Sequence, residues 1–407
     1  MRRASLRVVN VRFDADNLSV FPFSDAKPSP CASSAGCAPL RALQGYAVPR
    51  ASSRHCNMRS SGPKSPKSPK SPSSPKSLVR RRVPRVTVAI ATPFTEQGGV
   101  DEAGITRTVS WLQAQGIASI IPGGTTGEFA AMMASERLQV LEATRQAAGA
   151  DCFLFANVSA CAVGDTLTLA RQAATSPAKP DALLLLPPYY HQPFNAEAGA
   201  CGCKQFFRSV LQGLGAAAIT TPVFLYTFAV HTQQPISPAT FGELYAEFTQ
   251  VAGIKASAVG VEQAQAYAAA APGATVLVGN GRENCESLCA GLNIVSGDCV
   301  AVSWALIKML RLVEAGDVPG AVAAQQALVE YWRVAAMDHF DEVPAVKAAF
   351  STNNAVATLT AVRPPLVALD ALDTMSIRDA VVRLRQAFDA IPLSSPLRLT
   401  PRRRPTP

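Results

Sequence analysis

Lys255 is a lone lysine inside the apolar run Val251-Ala-Gly-Ile-Lys-Ala256, with Ser257 next and a glycine at 260. A lysine withdrawn from water loses the solvation of its charged form, and its pKa falls from about 10.4. A neutral amine of this kind attacks a carbonyl and forms a Schiff base. The competing reading is an ammonium that snorkels out at a strand end, because fully buried lysines are rare. Four other lysines, at 179, 204, 308 and 347, lie between residues 87 and 391. All four fall in polar loops or helix-like segments, where a solvated ammonium is expected.

Two further groups could work with such an amine. Tyr226 closes the run Pro222–Thr227, and a tyrosine beside a lysine can carry protons to and from a carbinolamine if a hydroxyl relay eases its ionisation. Packing is the ordinary role for a tyrosine at a strand end. Gly123-Gly-Thr-Thr-Gly-Glu128 reads as a tight loop leading toward a helix. Its backbone N–H groups and hydroxyls make a seat for a small carboxylate or phosphate.

These residues need a scaffold that brings distant parts of the chain to one place. From Val86 onward, short β-rich runs alternate with segments of helical length. Strands are expected near 86–92, 118–122, 152–158, 183–187, 222–227, 251–256, 275–279 and 293–296. Helical patterns lie between them, such as the one starting at Ser135, whose hydroxyl could cap the first turn. Eight β/α units with continuous apolar strands suit an α/β fold, a (β/α)8 TIM barrel, with a doubly wound open sheet as the alternative. In a barrel, the C-terminal ends of the strands carry the chemistry. Thr92, the 123–128 loop, Tyr189, Tyr190, Tyr226, Lys255 and Gly279-Asn-Gly281 would then converge on one mouth. Residues 86–300 are expected to form the barrel and 301–391 additional C-terminal helices, two or three of them packed on it.

Charge divides the chain. Residues 1–86 carry 17 Lys/Arg against 3 Asp/Glu, residues 392–407 carry 4 Arg and no acid, and the body between them has 17 basic and 26 acidic residues. The net charge of +9 therefore belongs to the tails, and a nucleic-acid-binding body is not expected. Residues 1–85 are Arg- and Ser-rich and include Lys64-Ser-Pro-Lys-Ser-Pro-Lys-Ser-Pro72. That composition favours a disordered extension and resembles an organelle transit peptide followed by a linker, although Asp14, Asp16 and Asp25 weaken the match. A mitochondrial or plastid location is the expectation, with cytoplasm as the alternative. Residues 392–407 are expected to be a basic disordered tail. No run of about 18 apolar residues occurs, so no membrane span is expected. The ten cysteines include no paired CxxC and the four histidines are scattered. Reduced thiols are therefore expected and no metal site.

The order and spacing of several motifs resemble the pyruvate-dependent aldolase family of dihydrodipicolinate synthase and N-acetylneuraminate lyase. They are Ala91-Thr-Pro-Phe94, GGTTGE at 123–128, PPYYHQP at 187–193, FLYT at 224–227, GIKAS at 253–257, VPAVK at 343–347 and Arg363-Pro-Pro365. The resemblance implies that Lys255 forms an imine with pyruvate, that Tyr226 is the general acid/base and that Thr125 is its relay partner. It implies that Thr125 and Thr126 seat the carboxylate, and that Tyr190 completes the relay across a dimer interface. Gly124, Val295 and His231 complete the expected substrate-binding set. No cofactor beyond the lysine–pyruvate imine is implied, and a homodimer or homotetramer is expected.

Two departures bear on the second substrate. Synthases follow the strand-five tyrosine with a segment whose arginine helps bind the carboxylate of aspartate semialdehyde; here His231 stands in its place. Histidine lacks the bidentate fork, so a second carboxylate would be held poorly. The Ala198–Cys203 stretch also lengthens the segment after Tyr190. The expected function is a Schiff-base lyase that joins pyruvate to an aldehyde or releases it, synthase-like. N-acetylneuraminate, 2-keto-3-deoxy sugar acid and 4-hydroxy-2-oxoglutarate cleavage are the alternatives. A non-catalytic ligand-binding barrel is the reading from another class.

Overall fold

Strands β1 (Val86–Ala89), β2 (Ser119–Ile121), β3 (Phe153–Asn157) and β4 (Ala182–Leu185) are short and wholly buried. β5 (Val223–Thr227), β6 (Val251–Ser257), β7 (Thr275–Gly279) and β8 (Asn293–Ser296) follow. The computed structural model describes residues 81–190, 202–335, 342–352 and 360–392. In it each strand runs parallel to the next, and β8 returns to β1 through Thr87↔Val295. Closure excludes the open sheet. The strands end sooner than the apolar runs suggested, because Thr92-Pro93, Pro122 and Pro187 already belong to the rim loops, and proline cannot donate to a ladder.

Helices α1 (Glu102–Ala114), α2 (Ala134–Ala148), α3 (Val163–Thr175) and α4 (Gly202–Ala216) follow the first four strands. α5 (Ala229–Thr232) and α6 (Pro238–Glu247) lie between β5 and β6. α7 (Val261–Ala270), α8 (Asn284–Cys289) and α9 (Ser303–Glu314) follow β6, β7 and β8. α9 thus completes the eighth unit, and α10 (Val318–Ala335), α11 (Glu342–Phe350) and α12 (Ala371–Asp389) are the additional helices among the described residues. Several starts are encoded locally. Asp101 accepts from the Gly104 N–H at 2.9 Å, and Ser237 caps α6 ahead of Pro238. At α2 the expected cap is displaced. Met133 is the cap residue, its N–H donates to the Glu136 carboxylate at 2.9 Å, and Ser135 lies inside the first turn.

The barrel interior is filled by Phe153, Phe155, Leu184, Phe224 and Leu277, with Phe155 edge-on to Phe224 at 5.1 Å. The larger apolar layer lies between strands and helices. One irregularity sets the site. Val223 pairs with Val251, but Phe224 pairs with Gly253, so β6 carries one extra residue. Side chains alternate with period two, and a one-residue insertion exchanges the faces of everything beyond it. Ile254 and Ala256 consequently pack outward and Lys255 lies beside Tyr226. The extra residue is accommodated at Gly253, where a Cβ would stand 2.4 Å from Phe224 Cε1.

Among the described residues no helix is long and apolar enough to cross a membrane. The expectations for residues 1–80, for 191–201 and for the tail from 393 lie outside the described residues.

Candidate active site

Tyr226 and Lys255 occupy paired positions on neighbouring strands. Both are buried, at 1% and 5% exposure, and the Lys255 Nζ lies 4.1 Å from the centre of the Tyr226 ring. The Tyr226 hydroxyl has two hydroxyl neighbours, Thr125 Oγ1 at 3.4 Å from the β2 loop and Ser257 Oγ at 3.5 Å from β6 itself. These distances are longer than the usual O–H···O bond. Sequence reasoning anticipated Thr125 and missed Ser257 as a partner. The signal was its position two residues after Lys255, on the same face of the strand.

The 123–128 loop is held from several sides. Thr92 Oγ1 donates to the Gly127 carbonyl at 2.7 Å, and Asn157 Nδ2 donates to the Gly123 carbonyl at 2.8 Å. Glu128 adopts a left-handed conformation with φ 59°. Its carboxylate is fixed by Lys347 at 2.6 Å and by the Arg363 N–H at 2.9 Å. Lys347 also donates to the Ala361 carbonyl at 2.6 Å. The expectation of a solvated ammonium at Lys347 is therefore overturned: it is wholly buried, more so than Lys255. A helical position does not by itself say which face is sealed, and here a buried carboxylate satisfies the ammonium.

Thr126 is buried, and its Oγ1 donates to Glu342 Oε1 at 2.9 Å, from the first residue of α11. Asp298, after β8, accepts from Ser296 Oγ and from the Cys299 N–H at 2.9 Å. Burial raises the Glu342 pKa, the charge of Asp298 raises it further, and Thr126 and Lys255 pull it back down. Burial likewise raises Asp298, against its hydrogen bonds from Ser296 and Cys299. Neither carboxyl had been singled out, although Glu342 immediately precedes the Val343–Lys347 motif.

The remaining expected residues are placed as follows. Val295 is buried in the interior cluster that contains Tyr226, and Gly124 lies in the loop with Thr125 and Thr126. His231 sits on α5, its ring edge-on to Phe228 at 4.4 Å, and Phe228 stacks on Tyr226 at 6.0 Å. The residue is exposed, yet partial desolvation of the imidazole lowers its pKa, so the ring is largely neutral at neutral pH. Tyr190 follows β4 and is 80% exposed. No group of three or more His, Cys, Asp or Glu side chains gathers as metal ligands among the described residues. Burial pushes the Cys152 and Cys285 thiols up to about 11 and about 12, which leaves them poor nucleophiles. The arrangement gathers a buried amine, the hydroxyls of Tyr226, Thr125 and Ser257, and the 123–128 loop in one place.

The sequence profile of the Dihydrodipicolinate synthetase family matches residues 82–383. A 4-hydroxy-tetrahydrodipicolinate synthase of Synechococcus sp. (strain CC9605) is 29% identical over 304 residues, covering 74% of this chain and 95% of that protein. Among solved structures, YagE of E. coli K12 in complex with pyruvate superposes with a TM-score of 0.65 at 22% identity, over 74% of this chain and 98% of its own. The Ruminococcus gnavus sialic acid aldolase does so with a TM-score of 0.67 at 22% identity, over 75% and 98%. Both structures share this chain's barrel with its C-terminal helices. With a family profile that runs from the approach to β1 into α12, the chain belongs to the dihydrodipicolinate synthetase family.

Proposed function

We propose that the chain is a class I, Schiff-base-forming lyase that condenses pyruvate with an aldehyde or releases it from the product. One observation carries this reading: Lys255 and Tyr226 are paired across β5 and β6, buried, with Thr125 at the tyrosine hydroxyl. In the reaction the Lys255 amine attacks C2 of pyruvate, its nitrogen losing a proton as the carbonyl oxygen gains one, to give a carbinolamine. Loss of water leaves an iminium. Removal of a C3 proton moves the electron pair into the C–N system and yields an enamine, whose C3 attacks the aldehyde carbon. Hydrolysis of the resulting iminium returns the free amine. Tyr226 is the group placed to pass these protons, with Thr125 and Ser257 as its hydroxyl partners. Thr126 and the loop N–H groups hold the pyruvate carboxylate.

His231 favours a particular acceptor. Its neutral ring, edge-on to Phe228, supplies no fixed cation for a second carboxylate. An aldehyde without a carboxylate near C1, such as a sugar-derived one, fits better than aspartate semialdehyde. The Synechococcus relative is named for the latter reaction and the Ruminococcus neighbour for sialic acid, so both classes are represented among similar proteins. The 80% exposure of Tyr190 supports assembly as a homodimer or homotetramer in which that ring reaches a neighbouring copy. The Arg- and Ser-rich composition of residues 1–85 supports delivery to a mitochondrion or plastid.

The test is borohydride reduction of the purified protein with pyruvate, followed by peptide mass mapping. A stable adduct on Lys255 and on no other lysine is expected. An adduct elsewhere, or none from folded protein, overturns the assignment.

A further inference from the structure

The seat for the pyruvate carboxylate is already engaged by a carboxyl of the protein itself. Thr126 has one hydroxyl proton to donate, and it goes to Glu342 Oε1 at 2.9 Å. Glu342 has little freedom to retreat. It opens α11, and five residues later Lys347 ties that helix to Glu128 inside the loop that carries Thr126. Close approach of the two groups is built into the fold by Gly297, where a Cβ would stand 2.0 Å from Thr126 Oγ1 and 2.8 Å from Glu342 Oε1.

Two ionised carboxylates that share this hydroxyl at close range in a half-buried site repel each other. Among the described residues, the charged and titratable groups facing Glu342 are Asp298 from the β8–α9 loop, Lys255 from β6 and Cys299 beside Asp298. Tyr331 of α10 faces Asp298 and Cys299 in turn. Lys255 is the one cation in this set, and imine formation commits it to the substrate. Asp298 is the better satisfied of the two acids, with donors from Ser296 and from the Cys299 N–H, whereas Glu342 has the Thr126 hydroxyl. A proton entering the pair therefore belongs on Glu342.

Resting on the Schiff-base reading, we propose that Glu342 is a specificity-determining residue that touches the substrate: it takes up one proton as a 2-oxo acid binds and, as a neutral carboxylic acid, donates a hydrogen bond to the incoming carboxylate. Thr126 then turns its hydroxyl from Glu342 to the same carboxylate. The seat recognises a carboxylate with neutral donors, and binding is coupled to proton uptake from solvent.

The test compares pyruvate with methyl pyruvate, which has the same ketone and no charge. For each, the concentration that half-saturates the borohydride-trapped Lys255 adduct is measured from neutral into alkaline pH. Both compounds are trapped on the same amine, so the effect of pH on that step cancels in their ratio. In the unmutated protein the ratio of half-saturating pyruvate to methyl pyruvate should rise about tenfold per pH unit once Glu342 ionises. In Glu342→Gln, which keeps a neutral donor, the ratio should stay flat, and Asp298→Asn should retain the rise. Glu342→Ser, with a shorter neutral donor, should be flat as well and serves if the glutamine variant does not fold. A flat ratio in the unmutated protein overturns the proposal, as does an unchanged rise in the folded Glu342 variants. No Lys255 adduct with either compound at any pH overturns instead the Schiff-base reading beneath it.

Discussion

Lys347 and Glu128 form an ion pair 2.6 Å long with both side chains closed to solvent, at 1% and 0% exposure. The pair joins α11 to the loop that follows β2. Burial drives the Lys347 pKa down, and Glu128 opposes this. Removing one partner leaves an uncompensated buried charge, which typically costs about 3–5 kcal/mol. Lys347→Met should therefore lower unfolding stability by that order in urea titrations. Lys347→Met with Glu128→Leu should recover most of the loss, because neither charge is then stranded. A double variant no more stable than the single one would show that the pair contributes through geometry alone.

The two hydroxyls flanking Tyr226 divide its support. Tyr226→Phe removes the proposed proton carrier and should lower kcat by about 10²–10⁴-fold. Thr125→Val and Ser257→Ala each remove one long hydrogen bond, at 3.4 and 3.5 Å. Each should cost about tenfold, the equivalent of roughly 1.4 kcal/mol. The double variant should approach the Tyr226→Phe level. Steady-state rates at saturating pyruvate decide it: either single variant as slow as Tyr226→Phe would mean that one hydroxyl alone carries the relay.

The sequence made the strands and the lysine legible for one physical reason: a parallel barrel strand is buried on both faces and reads as an unbroken apolar run. Lys255 interrupts such a run and so stands out. The direction it faces was not legible, because that depends on the extra residue in β6 opposite Val223 and Phe224, a matter of pairing and not of composition. The acids were hidden for a related reason. Glu342 reaches Thr126 across more than two hundred residues, and nothing local distinguishes it from an ordinary acid in the first turn of a helix. Lys347 misled in the same way, since its seal is provided by Glu128, Ala361 and the ring of Phe94.

Glu136 links acid stability to the C-terminal segment. Arg363 grips its carboxylate through Nη1 at 2.8 Å and Nη2 at 2.6 Å, and the Met133 N–H adds a third bond at 2.9 Å. These hydrogen bonds, the one from Arg363 foremost, lower the Glu136 pKa from 4.5 to about 2 against the opposing cost of burial. A carboxylate whose folded pKa is depressed stabilises the fold above its unfolded pKa, and that stabilisation fades as pH falls through the folded value. The side chains keep 15% and 16% exposure, so solvent screening leaves about 1–2 kcal/mol. Glu136→Gln should be less stable than the unmutated protein by that amount at neutral pH. The gap should close between about pH 4.5 and about pH 2. A gap that stays constant over this range would assign the loss to packing.

Gly297 tests the carboxylate seat by steric means. An alanine methyl there would stand 2.0 Å from Thr126 Oγ1 and 2.8 Å from Glu342 Oε1, so one of the two must move. Overpacking of this kind typically costs about 1–3 kcal/mol. The larger effect should fall on the substrate carboxylate, which in the proposed mechanism uses the Thr126 hydroxyl where it now lies. Gly297→Ala should raise the half-saturating pyruvate concentration about tenfold, the loss of roughly one hydrogen bond to a charged group. Methyl pyruvate should be much less affected. Gly164→Ala is the control for stability: it lies in the first turn of α3 with open space around its Cβ, and should be neutral or stabilising by a few tenths of a kcal/mol. Equal penalties for pyruvate and its ester in Gly297→Ala would place the carboxylate elsewhere in the mouth and remove Thr126 from its binding.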